Sequence, residues 1–407
     1  MKQKLVVIGN GMAGMRTVDE LMQAEPNRYQ IAVFGAEPHG NYNRIMLTPV
    51  LFGSKSIADI MIHDLGWYQA HDITLHCGPG KAVAKIDRYH KRVIAQDGST
   101  VAYDRLLIAT GSLPLLPDIP GNDCQGVMGF RDIGDVETMI KTAESKRHAV
   151  VLGGGLLGLE AANGLLHRGM KVTVVNRAGH LLNRQLDATA AGFLQRQLQA
   201  KGMEFKLGVS IAEIMDDNGR ISGIMLSDGT RLDADLAVMA TGIKANMALA
   251  QNAGLQCQHG IIVNDCMQTS DPAIFAVGEC VQHRGLTFGL VAPVYEQAKV
   301  CANHLSGHGF ASYKSLLAAT ILKVTGIDLF SAGDFEGDDD CEKLVLIDQA
   351  QGIYRKIVLK NNQVTGTILY GDTSDNAWYL NLIKQKTDIA DIRPRLIFGQ
   401  VPPAQAA

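Results

Sequence analysis

Lys4-Leu-Val-Val-Ile8 is an apolar run that feeds straight into Gly9, Gly11 and Gly14, after which Met12, Met15, Val18, Leu21 and Met22 recur at helical spacing. A second apolar run, Tyr29-Gln-Ile-Ala-Val-Phe34, follows. Strand, tight glycine turn, helix and strand make a βαβ unit whose two strands lie parallel in a buried sheet. The same grammar returns at Ala149-Val-Val-Leu152, then Gly153, Gly155 and Gly158, a helix through Leu165 and the strand Lys171-Val-Thr-Val-Val175. Each unit closes on a similar phrase, a strand ending in Ala109-Thr110-Gly111 and another ending in Ala240-Thr241-Gly242. This repetition predicts two related modules.

From about Ser306 the runs shorten and alternate: Lys343-Leu-Val-Leu-Ile347, Tyr354-Arg-Lys-Ile-Val-Leu359 and Val364-Thr-Gly-Thr-Ile-Leu-Tyr370, with Asn361-Asn362 as a hairpin signal between the last two. The expected fold class is therefore α/β, with two Rossmann-like dinucleotide-binding domains and a small α+β C-terminal domain. The expected boundaries are 1–113 with 247–305 for a discontinuous first domain, 114–246 for the second and 306–407 for the third. The tail from Val401 is expected to fray.

A chain of 407 residues is long for one hydrophobic core, and 46% hydrophobic with 19% charged residues fits a folded globular protein. The formal net charge of -3 leaves no basic footprint for nucleic acid or an anionic membrane. No stretch is apolar for long enough to span a bilayer, and the N-terminal run is too short for a secretory signal, so the cytoplasm is the expected compartment. Seven scattered cysteines form no Cys-x-x-Cys pair and no metal-ligand cluster, which predicts reduced thiols and no metal.

In the first fingerprint one glycine permits the tight turn, one lets backbone N–H groups approach a pyrophosphate, and one lets helix and strand pack closely. The helix N-terminus adds oriented donors. An acid should follow the second strand to take ribose hydroxyls. Gly35 occupies the usual position and Glu37 is the nearest candidate, its alternative being a solvated carboxylate before Pro38. In the second module the strand ends in Asn176 and Arg177. A neutral residue plus an arginine can receive a 2′-phosphate, so NADPH stands alongside NADH; a plain surface arginine is the alternative. Glu160 has a bland reading too, as a favourable charge near a helix N-terminus.

Thr269-Ser-Asp-Pro-Ala-Ile-Phe-Ala-Val-Gly-Glu-Cys280 joins a turn to a short apolar strand ending in Gly278-Glu279. This segment resembles the second flavin-binding signature of the FAD-dependent pyridine-nucleotide oxidoreductases, in which an acid, usually Asp, binds the flavin ribityl chain. Within that superfamily the chain is similar to the flavoprotein part of assimilatory nitrite reductase large subunits and to the electron-transfer subunits of bacterial assimilatory nitrate reductases. The similar wording lies in Ile8-Gly-Asn-Gly-Met12, in Gly153 through Ala162, in Thr269-Ser-Asp271, in Phe288-Gly-Leu-Val-Ala-Pro293 and in Tyr370-Gly-Asp-Thr-Ser374.

The resemblance implies FAD in the first domain, NADH or NADPH in the second and an interface role for the third. It makes Glu279 the ribityl ligand and Val83 the residue whose backbone meets the adenine. Val291 becomes the start of a helix whose dipole faces the pyrimidine end of the flavin. Arg44 is implied at the reactive edge and Glu160 near the nicotinamide, and these two are the candidate catalytic residues. Met12, Ala13, Leu156 and Leu157 in the fingerprints, Ala109-Thr110-Gly111, Thr241-Gly242, Gly278 and Arg131 complete the expected cofactor contacts. For Arg44, Arg131 and Arg177 an ordinary ion pair is the competing reading.

The implied activity is hydride transfer from the nicotinamide to FAD, followed by electron release to a redox acceptor protein: a nitrate or nitrite reductase catalytic subunit, or a rubredoxin or ferredoxin. The nitrite reductase large subunits continue into iron-sulfur and sirohaem regions, and this chain has no matching cysteine spacing, so nitrite reduction by the chain alone is not expected. The absence of a redox cysteine pair disfavours disulfide chemistry and a cysteine-based oxidase. An NAD(P)H-binding regulatory protein is the alternative from another class. A homodimer through the third domain is an open expectation.

Overall fold

The computed structural model describes residues 2–314, 319–324 and 326–400, the side chains of the strand Ala319–Val324 excepted. The tail expected to fray lies outside these residues. The chain divides into two compact units. One runs through Val50, resumes over Ser54–Leu115 and again from Gly242; the other holds Leu51–Gly53, Leu116–Thr241 and the described residues from 319 onward. No helix among the described residues is long and apolar enough to cross a membrane.

In the first unit five parallel strands lie in the order Ile274–Ala276, Arg105–Ile108, Gln3–Ile8, Tyr29–Gly35 and Thr74–Cys77. Ile8 is paired with Phe34 on one side and Ile108 on the other, and Ile108 with Ala276. The strand ends therefore line up along one edge of the sheet, where an open α/β fold places its ligands. The apolar runs need to be this continuous because both sheet faces are covered: Val6, Val7, Leu106, Leu107 and Ile108 are fully buried. Each such side chain contributes about 2 kcal/mol on burial. The helices Met12–Ala24 and Val291–Leu305 pack against one another. A three-stranded antiparallel sheet of Val83–Asp87, Arg92–Ala95 and Thr100–Ala102 carries Val83 as its first residue, paired with Ala95. Ser112–Pro114 and Ile243–Ala245 pair antiparallel as a short ribbon at the two points where the chain leaves and re-enters this unit.

The second unit repeats the design. Its parallel sheet has the order Val127–Met128, Leu236–Met239, His148–Leu152, Lys171–Asn176 and Glu204–Leu207, with Leu152 opposite both Val175 and Met239. The C-terminal part of the unit is a five-stranded antiparallel sheet in the order Ala319–Val324, Ile327–Gly333, Gln363–Tyr370, Ile353–Lys360 and Glu342–Asp348. The hairpin turn falls on Asn361 and Asn362, with φ of 51° and 56°, the left-handed pair a two-residue turn requires. The helix Asn376–Gln385 packs on this sheet, where Tyr379, Leu382 and Ile383 join Ile357 and Leu369 in one core. Arg355, buried to 6% exposure, donates to Asp372 at 2.5 Å and Asp375 at 3.0 Å, a structural reason for the Gly-Asp-Thr-Ser wording after Tyr370.

Candidate functional site

The two glycine fingerprints adopt the same geometry residue for residue. Gly9 has φ of 115° and Gly153 of 111°. A Cβ on Gly9 would sit 2.1 Å from the Ala109 carbonyl oxygen, and one on Gly153 would sit 2.3 Å from that of Ala240. A Cβ on Gly14 would meet the Gly9 carbonyl at 2.6 Å, and one on Gly158 that of Gly153 at 2.0 Å. These four glycines are required by the protein's own packing. Gly11 and Gly155 are not: a Cβ on either meets nothing within 4 Å, and both sit in extended backbone as the N-caps of the helices Met12–Ala24 and Leu156–His167.

That open space lies over helix starts with no side-chain cap and no acid in the first turn. The helices Ile133–Ser145 and Ala188–Ala200 are instead capped by Asp132 and Asp187. Uncapped N–H groups facing open space fit a bound diphosphate. Val291 begins a third such helix, Val291–Leu305, whose cap position Leu290 offers no side-chain bond.

The aligned strand ends bring Gly9–Gly14, Ala109-Thr110-Gly111 and Gly278-Glu279 together. A Cβ on Gly278 would sit 2.9 Å from that of Ala13. The Gly278 N–H donates to Gln297 Oε1 at 2.8 Å, and Gln297 is fully buried. Ser112 Oγ donates to Glu279 Oε2 at 2.7 Å, which orients the carboxylate. Thr110 Oγ1 donates to the Asn246 carbonyl at 2.6 Å, and the Asn246 N–H returns a bond to Gly111. Sequence reasoning missed Ser112 and Gln297. Ser112 directly follows the Ala-Thr-Gly phrase, which is a usable signal; a buried glutamine on a helix gives none.

Glu37 lies partly buried two residues past the second strand. It accepts from the Tyr42 hydroxyl at 2.5 Å and forms an ion pair with Arg44, whose guanidinium sits over the Tyr42 ring. The structure thus sets Glu37 and Arg44 side by side. If Glu37 takes a ribose, its ion pair carries Arg44 to that same end of the dinucleotide. Val83 stands at the head of the antiparallel meander and packs partly buried against the core of the unit.

In the second unit Asn176 is used by the loop itself. Its Oδ1 accepts from the Gly154 N–H at 3.0 Å, and its Nδ2 donates to the carbonyls of Ala178 at 3.1 Å and His180 at 3.0 Å. Arg177, next along, is exposed. Leu156 and Leu157 open the helix, Leu157 with 38% exposure, and Glu160 follows one turn on, partly buried. The Arg131 N–H donates to Asp135 Oδ2 at 2.6 Å, one residue before the cap of Ile133–Ser145. Thr241 and Gly242 are exposed, Gly242 with φ of 132°. All seven cysteines are free thiols. Burial pushes the Cys301 and Cys280 thiols up, which keeps them protonated.

Comparison with known proteins accords with this geometry. The chain is 46% identical over 390 residues to the nitrite reductase [NAD(P)H] of Bacillus subtilis, covering 96% of this chain and 48% of that protein. It is 42% identical over 396 residues to the assimilatory nitrate reductase electron transfer subunit of Bacillus subtilis, covering 97% and 51%. The chain thus spans about half the length of these relatives. Among solved structures, putidaredoxin reductase in its covalent complex with putidaredoxin matches with a TM-score of 0.83 and 26% identity, over 95% of this chain and 94% of that one. Residues 319–387 match the rubredoxin NAD+ reductase C-terminal domain family. Residues 3–304 match the pyridine nucleotide-disulphide oxidoreductase family, and the chain belongs to that family.

Proposed function

We propose that the chain is an FAD flavoprotein that oxidises NADH or NADPH and passes the electrons to a separate redox protein, as the electron-transfer component of an assimilatory nitrate or nitrite reductase working in the cytoplasm. The observation that carries this reading is the doubled cradle, Gly9, Gly11 and Gly14 against Ala109 and Gly153, Gly155 and Gly158 against Ala240, each at an uncapped helix start. Two cradles fit two dinucleotides, and what surrounds them differs. Next to the first stands the acid Glu279, held by Ser112; next to the second stands the basic Arg177.

When bound, FAD supplies hydride acceptance and electron release, so the protein needs no nucleophile or acid-base triad. The residues of the first cradle hold the diphosphate through N–H groups, and Glu279 takes the polyol hydroxyls. The Glu37–Arg44 pair belongs to the ribose and diphosphate end, which removes Arg44 from the catalytic candidates. The start of the helix at Val291 places a positive dipole end for the electron-rich ring. Glu160 remains the candidate beside the nicotinamide. On this reading 1–113 with 247–305 serve the flavin and 114–246 the nicotinamide nucleotide. The matches at 46% and 42% identity support the nitrogen-assimilation acceptor, and the likeness to putidaredoxin reductase supports a small iron-sulfur protein as the second possibility.

Anaerobic titration of the purified protein with NADH and then NADPH, watched by flavin absorbance, tests the donor. Adding a nitrate reductase catalytic subunit, a rubredoxin or a ferredoxin to the reduced protein tests the acceptor. Reoxidation fastest by the nitrate reductase subunit is expected. A protein that stays colourless after incubation with FAD sinks the reading.

A further inference from the structure

Lys356 in the C-terminal sheet is a lysine at 6% exposure, an unfavourable place for an ammonium group. Its Nζ donates at 3.1 Å to Asp187 Oδ2, and the Tyr354 hydroxyl donates to the same oxygen at 2.7 Å. Asp187 caps the helix Ala188–Ala200 through the Ala190 N–H at 3.0 Å. Tyr354 and Lys356 are two apart on one strand and so share a face of the sheet, and Tyr370, paired with Tyr354, lies beside them. Further along the helix, Gln197 Oε1 accepts from the Tyr370 hydroxyl at 2.7 Å. The Phe193 ring lies 6.4 Å from Tyr354 and 5.7 Å from Tyr370.

Capping a helix needs only Asp187. The buried lysine and tyrosine fix that carboxylate from outside the helix, and what they fix is the end of a loop. Residues 177–186 run from the strand end at Asn176 to the cap at Asp187. The near end is tied by the Asn176 amide, the middle by the Leu182 N–H to the Gly154 carbonyl, and the far end by Asp187. Burial works against the Asp187 charge, but the Ala190 N–H, the Tyr354 hydroxyl and the Lys356 ammonium outweigh it and hold its pKa below the ordinary carboxylate value. Burial and the neighbouring Asp187 raise the Tyr354 phenol, so it stays a donor.

We infer that Tyr354 and Lys356 are positioning residues for nicotinamide-nucleotide binding, acting through Asp187 to hold the loop 177–186 and its Arg177 in the binding conformation. This rests on the reading above in which Arg177, the first residue of that loop, stands beside the second cradle as a receiver of the 2′-phosphate. It gives the C-terminal sheet a task in the reaction: a loop ordered in advance costs the nucleotide less on binding.

The test is calorimetric binding of NADP+ and NAD+ to the oxidised holoprotein and to Tyr354→Phe, Lys356→Met and Asp187→Asn, of which the last keeps a competent cap. Amide exchange across 177–186 and stopped-flow flavin reduction complete it. The lost bond reaches the nucleotide only through the loop, so nucleotide binding weakens roughly threefold to tenfold, less than the direct loss of a bond to a charged group. FAD content and the reduction rate at saturating nucleotide stay at wild-type values, and exchange in 177–186 quickens. Tyr354→Phe combined with Asp187→Asn binds no more weakly than Asp187→Asn alone, because both act at one point. Unchanged nucleotide affinity, or FAD loss with unchanged affinity, overturns the inference while leaving the proposed function standing. A wild-type protein that binds neither nucleotide overturns both.

Discussion

Asn10 and Asn176 do the same work from opposite ends of their modules. The Asn10 Nδ2 donates to the His39 carbonyl at 3.1 Å, and the Asn176 Nδ2 donates to the His180 carbonyl at 3.0 Å. Each accepting carbonyl lies four residues beyond the end of its module's second strand, Gly35 in one and Asn176 in the other. In the first module the amide grows from the glycine loop and the strand ends in Gly35, whose Cβ would come within 3.0 Å of the Asn10 Cβ. In the second the amide grows from the strand end and the loop carries Gly154, whose Cβ would come within 3.0 Å of the Asn176 Cγ. Each module uses one amide side chain here to tie the glycine loop to the loop after its second strand.

The exchange predicts a rescue. Gly154→Asn puts a second amide into filled space and is expected to lower the thermal midpoint and weaken NADP+ binding. Adding Asn176→Gly removes one of the two side chains in the way, the Leu181 methyl at 2.8 Å being the other, and restores part of the lost midpoint. Strictly additive losses, read by calorimetry on the two single variants and the double, would show that the two positions do not share one space.

The two empty glycine positions predict a separation of fold from function. Gly9→Ala meets the Ala109 carbonyl at 2.1 Å and a φ of 115°, and loses roughly 2–5 kcal/mol of stability from strain and overpacking. Gly11→Ala meets nothing, so it folds as wild type, but its methyl enters the space proposed for the diphosphate. FAD content after purification and the thermal midpoint distinguish the two. Gly11→Ala that retains FAD with wild-type affinity would remove the diphosphate from that helix start.

Both glycine fingerprints were legible because their spacing is local and the physics behind it, two close approaches and one gap, repeats within six residues. The Asn361-Asn362 hairpin was legible for the same reason. Glu279 was legible as a signature, while its partner Ser112 lies 167 residues away, and the parallel pairing of the strands that precede them, Ile274–Ala276 and Arg105–Ile108, brings them together. Tyr354-Arg-Lys-Ile-Val-Leu359 read as a plain alternating strand. Alternation puts Arg355 and Lys356 on opposite faces, and nothing local reveals that both faces are covered and that each cation has an aspartate waiting. The pairing of Arg44 with Glu37 was not legible on similar grounds, since it depends on how the chain folds back after the second strand.

Glu279 and Ser112 predict a graded loss of flavin. Glu279→Gln keeps the shape and removes the charge, weakening FAD by at least about tenfold, the low end for a hydrogen bond to a charged group. Ser112→Ala removes only the orienting bond and costs about threefold. Equilibrium titration of the apoproteins with FAD reads both. A Glu279→Gln protein as tight as wild type would mean that the carboxylate points at no cofactor hydroxyl.

On the proposed reading the choice of nucleotide falls to Arg177, because the Asn176 amide is already occupied by Gly154, Ala178 and His180 and the strand end bears no acid to repel a 2′-phosphate. Arg177→Glu is expected to weaken NADPH by at least about tenfold, as one charge-assisted contact becomes a repulsion, and NADH by less than about threefold. Equal effects on the two nucleotides would take Arg177 out of the ribose site.

Asp265 predicts a pH signature confined to the first unit. Its carboxylate accepts from the Arg284 guanidinium at 2.9 and 2.5 Å and bonds the buried His283 ring at 2.8 Å. Arg284 first and His283 second pull its pKa down to about 2. A carboxyl whose folded pKa lies below its unfolded value stabilises the fold above the ordinary value near 4, and that contribution disappears as pH falls from there through about 2. Wild type and Asp265→Asn should therefore differ in urea midpoint at pH 7 and converge as pH is lowered through 4 towards 3. Trp67 lies in the first unit and Trp378 in the second, so Trp67 fluorescence in a Trp378→Phe background follows the first unit alone. A midpoint difference that stays constant across this range would assign the role of Asp265 to its shape and hydrogen bonds instead of its charge.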